Sequence, residues 1–314
     1  MKGKVIFIDS VHPILEDQLT QAGFQIDRHF NTPLSELVPI LPEYIGLIIR
    51  SRIPMDAAFF DLAPNLRFIA RSGSGLENID LTAAEERGIV VYSSPEGNKD
   101  AVGEHAIAML LALFNKIIQA DAQVRQGQWL REENRGIELT GKTVGIIGYG
   151  HMGSSFAKKL SGFDCEVIAY DKYLSSFPTA FAKQVSLEEL FEKSDIVSIH
   201  LPLGEETKYY ADRVFFNSFK KPIYFINTSR GQQVNTEDLV TAMQENKVLG
   251  ACLDVLEFEK KSLEGLDLST FPAALQYLMT SNRTILSPHI AGWTVESYIK
   301  LSSVLGEKIL KDFS

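Results

Sequence analysis

The chain alternates short apolar runs with amphipathic stretches. Residues 5–9, 25–29, 46–50, 67–71 and 89–92 are apolar or β-rich. Between them, residues 13–21, 55–62 and 81–87 carry helical spacing. Strands separated by helices predict a parallel sheet with helices on both faces. A long helix is expected from about residue 99 to 126, where Val102, Ala106, Met109, Leu110, Leu113, Phe114, Ile117 and Ile118 keep the helical period. Its stretch 106–114 is apolar all round and therefore expected to be buried on several sides, either within one chain or against a second copy. Residues 128–141 are polar and read as a connector. A second strand–helix series then begins, with strands at 143–147, 166–170, 196–199, 223–226, 249–253 and 284–286, and an amphipathic helix near 296–312. Residues 260–283 show few periodic signals, and no internal repeat stands out. The pattern predicts an α/β fold with two doubly wound parallel-sheet domains.

The second series opens on a glycine turn, Gly148-Tyr149-Gly150-His151-Met152-Gly153. An apolar strand precedes it, a helix-like stretch at 154–160 follows, and the next strand ends in Asp171. This is the order of a dinucleotide-binding unit of Rossmann type. Gly148 would permit the tight turn, Gly150 the approach of a pyrophosphate, and Gly153 the close packing of helix on strand. The helix N-terminus offers N–H groups and a positive dipole end to phosphate. Asp171, 18 residues beyond Gly153 (171 − 153), is placed to bond a ribose hydroxyl and to favour NAD over NADP. A glycine turn in some other α/β fold is the alternative. About 140 residues precede the motif in a chain of 314, so another unit comes first.

Charge and cysteine content narrow the function. A net charge of −9 argues against a nucleic-acid surface. The N-terminal apolar run is short and meets Asp9, which reads as a strand and not a signal peptide. The longest apolar run is too short to span a bilayer. Cys165 and Cys252 suggest neither zinc nor a disulfide framework, so no metal is expected and the cytoplasm is the expected location.

Three polar segments follow later strands: residues 227–231 with Arg230, 254–259 with Asp254 and Glu259, and 287–292 with His289. Ligands of open α/β sheets gather beyond the carboxyl ends of the strands. A guanidinium grips a carboxylate with paired hydrogen bonds. An imidazole exchanges a proton near neutral pH, and a carboxylate beside it fixes its tautomer. Taken singly, Arg230 also fits an ion pair, Glu259 a solvated acid and His289 a turn.

Several ordered blocks resemble the D-isomer-specific 2-hydroxyacid dehydrogenase family, which includes phosphoglycerate, glyoxylate/hydroxypyruvate and D-lactate dehydrogenases. They are Arg71-Ser72-Gly73-Ser74-Gly75-Leu76-Glu77-Asn78-Ile79-Asp80, residues 124–129 and 139–153, His200-Leu201-Pro202-Leu203 with Thr207, residues 227–231 and 253–259, and Ser287-Pro288-His289. The resemblance implies a Rossmann nucleotide domain, residues 99–287, inserted into a flavodoxin-like substrate domain, residues 1–98 and 288–314. It implies Arg230 as the substrate-binding arginine, Glu259 as the acid paired with histidine and His289 as the acid/base. Cofactor contacts are implied at Gly148 to Gly153, Asp171, His200, Pro202, Thr207, Thr228 and Asp254, the last at the nicotinamide amide. The backbone at Ser74 and Gly75 is similar to the family's substrate-carboxylate cradle. It also implies a dimer formed through the long helix. Arg50-Ser51-Arg52 follows the strand at 46–50; if the chain stays extended, both arginines project to one side and would bind a substrate phosphate. Lys260 stands where the family usually has proline, and Ala291-Gly292-Trp293 replaces its commoner glycine pair. With the last residue at Ser314, no C-terminal regulatory domain is expected. The expectation is an NAD-dependent enzyme acting on a small 2-hydroxy or 2-oxo acid, 3-phosphoglycerate among them. A glyoxylate/hydroxypyruvate-type reductase and a dinucleotide-sensing, corepressor-like binding protein are the alternatives.

Overall fold

The computed structural model describes residues 2–178, 180–259 and 271–313. Two compact units divide the chain: Met1–Lys99 with Trp293–Ser314, and Asp100–Gly292.

In the first unit, β1 (Gly3–Phe7), β2 (Phe24–Arg28), β3 (Tyr44–Ile49), β4 (Phe68–Arg71) and β5 (Val90–Ser93) pair in parallel in the order β2-β1-β3-β4-β5. That is the flavodoxin-like order, which reverses direction between β1 and β3. Alternation along β1 buries both faces. Val5 and Phe7 pack with Leu305 and Ile309 of the last helix, Val295–Phe313. Ile6 packs on the other face with Phe59 and Phe60 of the helix Ala57–Leu62. That helix starts where Asp56 accepts the Phe59 N–H at 2.9 Å.

In the second unit, β6 (Thr143–Ile147), β7 (Glu166–Tyr170), β8 (Lys183–Gln184), β9 (Ile196–Ile199), β10 (Ile223–Asn227), β11 (Val248–Leu253) and β12 (Thr284–Leu286) form one parallel sheet. Its order is β12-β11-β10-β9-β6-β7-β8. This is the Rossmann arrangement extended by one strand, and its direction reverses between β6 and β9. Ile226 and Cys252 face one apolar layer, while Phe225, Ala251 and Leu253 face the other.

Two expectations change. The long helix begins at Pro95, where a missing N–H costs nothing. It ends at Phe114, and a second helix, Ile117–Arg125, leaves it bent by 60°. The break has a local cause: Ile137 N–H donates to the Phe114 carbonyl at 3.1 Å, and Lys116 turns left-handed at φ 50°. The second domain boundary falls at Gly292/Trp293 and not at 287/288, because Ile290 and Ala291 are tied by their N–H groups to Asp254. Within 260–283, a helix spans Ala273–Thr280, and Lys260 lies outside the described residues. Among the described residues, no single helix is long and apolar enough to cross a membrane.

Candidate active site

In the second unit, the residues singled out by sequence lie just beyond the carboxyl ends of its strands: Gly148 after β6, Asp171 after β7, His200 after β9, Thr228 after β10, Asp254 after β11 and His289 shortly after β12. In the backbone of the glycine turn, Gly148 sits at φ +91°, and a Cβ there would lie 2.6 Å from the His200 carbonyl oxygen. The turn therefore abuts the end of β9 at the point where strand order reverses. A Cβ on Gly150 would meet nothing within 4 Å, so open space lies above it. A Cβ on Gly153 would lie 2.0 Å from the Gly148 oxygen, so only glycine lets the helix His151–Leu160 start this close to the turn. The first N–H groups of that helix, from His151 and Met152 onward, have no acceptor within it. A pyrophosphate fits that combination of open space and donors.

Asp171 holds the same turn. Its carboxylate accepts the N–H groups of Tyr149 at 2.8 Å, Tyr173 at 2.9 Å and Leu174 at 3.0 Å. Burial alone would raise its pKa, but these donors outweigh burial and hold it below the ordinary carboxylate range. Tyr149 itself is buried and stacks on Phe177 at 4.0 Å. Among the described residues, buried Thr228 Oγ1 and His200 Nδ1 have no hydrogen-bond partner. Thr207 closes the loop after β9, accepting from Gly204 N–H at 2.9 Å and donating to the Pro202 carbonyl at 2.6 Å.

The three expected chemical groups also lie in this unit. Glu259 pairs with His289 through Nδ1 of the imidazole. His289 has a left-handed backbone, φ +55°, which non-glycine residues adopt rarely and mostly under constraint. The constraint is Asp254, whose side chain is 1% exposed. Its carbonyl accepts His289 N–H at 2.7 Å. Its carboxylate accepts Ile290 N–H at 2.8 Å, Ala291 N–H at 2.9 Å and the Ser287 hydroxyl at 2.6 Å. Arg230 donates to the Ser229 carbonyl at 2.7 Å. The next residue, Gly231, packs so closely that a Cβ would lie 2.0 Å from the Leu256 carbonyl carbon and oxygen. That approach sets the arginine loop directly against the loop leading to Glu259.

In the first unit, the Arg-Ser-Arg segment departs from expectation. The strand ends at Ile49, and the chain curls instead of staying extended. Asp9, just beyond β1, accepts the N–H groups of Arg50, Ser51 and Arg52 at 2.6, 3.0 and 3.3 Å. An internal carboxylate thus fills the anion-binding curl at this sheet's reversal point. The Arg52 fork donates to the carbonyls of Thr32 at 2.7 Å and His29 at 3.1 Å. It is a structural tie and not a paired phosphate clamp with Arg50. The Arg50 guanidinium lies 4.8 Å from the centre of the Trp293 ring. Gly75 follows Ser74, whose hydroxyl donates to Asn98 at 2.7 Å.

Residues 107–291 match the family described as D-isomer specific 2-hydroxyacid dehydrogenase, NAD binding domain. The chain belongs to that family. It is 33% identical to a D-3-phosphoglycerate dehydrogenase of Archaeoglobus fulgidus over 98% of this chain and 56% of the relative. It is 34% identical to a hydroxypyruvate reductase of Thermotoga maritima over 88% of this chain and 87% of the relative. The chain thus spans little more than half of the first relative's length. Among solved structures, the TT0316 protein of Thermus thermophilus superposes with a TM-score of 0.81 at 29% identity, over 98% of this chain and 96% of that one. The dehydrogenase-family chain also contains polar residues that sequence reasoning missed. Asp9 had no motif around it. His105 is an isolated histidine on the helix Pro95–Phe114, and its partners, Ser287 and Asp254, lie far away in sequence. Glu257 accepts from Thr236 N–H at 2.9 Å and from the Tyr209 hydroxyl at 2.9 Å, which fixes the loop two residues before Glu259.

Proposed function

We propose that the chain catalyses NAD-dependent hydride transfer between nicotinamide and the α-carbon of a small D-2-hydroxy acid or 2-oxo acid. An unphosphorylated acid of the glyoxylate/hydroxypyruvate type is the preferred substrate. The observation that carries this reading is the Glu259–His289 pair on a turn clamped by Asp254. The Gly148–Gly153 turn would hold the pyrophosphate of NAD(H) and Asp171 its ribose, and the cofactor would supply or accept the hydride. With Nδ1 of His289 directed to Glu259, Nε2 is left to give a proton to the carbonyl oxygen in reduction and to take it back in oxidation. Glu259 fixes the tautomer and favours the imidazolium. Arg230 grips the substrate carboxylate and polarises the carbonyl. The Arg52 fork, taken up by two backbone carbonyls, argues against a phosphorylated substrate.

The protein would work in the cytoplasm, as its acidic charge and two free thiols suggest, without nucleic-acid or membrane partners. It would act as a homodimer through the segment where Ile117, Ile118, Val124 and Trp129 are 53%, 62%, 51% and 77% exposed. The test is NADH oxidation with glyoxylate, hydroxypyruvate and 3-phosphohydroxypyruvate. His289→Ala should lower kcat by ~10²–10⁴ while NADH affinity changes little. NADH binding with no turnover of these acids would overturn the proposal in favour of a dinucleotide-sensing protein.

A further inference from the structure

His105 lies on the helix Pro95–Phe114, far in sequence from every residue of the catalytic pair. Its Nε2 is 2.9 Å from the Ser287 hydroxyl oxygen and 3.6 Å from an Asp254 carboxylate oxygen. The protons in this cluster can be assigned by counting. An ionised carboxylate only accepts, and a serine hydroxyl has a single hydrogen. The 2.6 Å contact from Ser287 to Asp254 uses that hydrogen. The Ser287 oxygen must therefore accept from His105, so the His105 Nε2 carries a proton. The result is a directed chain: His105 donates to Ser287, Ser287 donates to Asp254, and Asp254 receives Ile290 and Ala291 from the far side of His289. Each polarised bond strengthens the next in a low-dielectric setting.

We propose that His105 is a positioning residue for His289, acting through Ser287 and Asp254. This rests on the acid/base role assigned to His289 above. His289 sits in a left-handed conformation that its neighbours must enforce. Asp254 grips the turn on the C-terminal side through two N–H groups, and Ser287 grips it on the N-terminal side. Ser287 can hold Asp254 firmly only if its own oxygen is fixed by a donor. Met109, one helical turn from His105, cannot replace that donor, because its sulfur lies 3.8 Å from the Ser287 oxygen and has no hydrogen to give. The requirement is therefore for an N–H at the place of Nε2, not for a histidine as such, and a glutamine amide reaches the same place.

The test compares His105→Leu with His105→Gln in the full chain. His105→Leu should lower kcat with glyoxylate or hydroxypyruvate at least tenfold, with NADH affinity within threefold of the parent. His105→Gln should restore kcat to within threefold. Equal loss in both variants, or no loss in either, overturns the proposal. If His105→Leu folds poorly by circular dichroism, Ser287→Ala breaks the chain at its middle link. It should show the same loss of kcat, and adding His105→Ala, which removes the donor, should change nothing further; an additive second loss overturns the coupling. Hydrogen exchange of the 287–292 backbone separates this inference from the proposed reaction. Protection should fall in His105→Leu and persist in His105→Gln even if the parent turns over none of the acids, and unchanged protection in His105→Leu overturns the proposal.

Discussion

Acid should weaken the dinucleotide-type unit through one imidazole, that of His200, whose Nδ1 is buried. The residue follows β9 at the sheet's reversal point, with Nε2 2.8 Å from the Ser198 hydroxyl and the ring 5.6 Å from that of Phe156. Burial lowers its pKa from 6.5 to about 4. Its folded pKa lies below the unfolded value, so the unfolded chain binds the proton more readily. The stability linked to this group is complete above about pH 6.5 and is lost as pH falls toward 4. A shift of that size, at 1.36 kcal/mol per unit, sets a ceiling of about 3 kcal/mol, of which roughly 2 kcal/mol is gone by about pH 5. His200→Gln keeps a polar group beside Ser198 but removes the titration. Urea unfolding at about pH 7 and about pH 5, followed by circular dichroism, measures the effect in both proteins. The parent should lose roughly 2 kcal/mol more than His200→Gln between the two conditions. Losses equal within error would refute the reasoning, since every other titrating group is shared.

Gly231→Ala should cost on the order of a hundredfold in kcat, because its Cβ would lie 2.0 Å from the Leu256 backbone and displace the loops of Arg230 and Glu259; steady-state kinetics near parental values would show that the loops tolerate separation. Asp171→Ala should weaken NADH binding more than NADPH binding, since it removes both the proposed ribose partner and the anchor of the Tyr149 N–H; an unchanged ratio of the two dissociation constants by fluorescence titration would count against that role. Arg52→Ala should leave the preference between hydroxypyruvate and 3-phosphohydroxypyruvate unaltered. It should destabilise the chain by about 1–3 kcal/mol in urea unfolding, because the Thr32 and His29 carbonyls lose their donor.

What the sequence disclosed, and what it hid, follows from where each group finds its partner. The glycine turn was readable because each glycine answers a backbone demand within a few residues: a positive φ at Gly148, open space at Gly150, helix–strand contact at Gly153. The strands were readable because both faces of each sheet are buried, leaving β-rich apolar runs with little polar interruption. The failures share the opposite cause, capture by a distant segment. The helix expected to run on from Phe114 stops because Ile137 takes a carbonyl that local periodicity reserves for the next turn. The arginines expected to alternate past Ile49 do not, because Asp9 draws three successive N–H groups out of the strand line. His105 was passed over because an isolated histidine at a helical position carries no spacing signal. Hydrophobic periodicity fixes where the strands end. It does not choose which polar group arrives there from across the sheet, since each sheet end leaves several donors and acceptors unpaired and any nearby side chain can satisfy them. In this chain such arrivals shape the candidate site. Asp9 occupies the curl where Arg50, Ser51 and Arg52 leave the strand line, and Asp254 with Ser287 clamps the turn that carries His289.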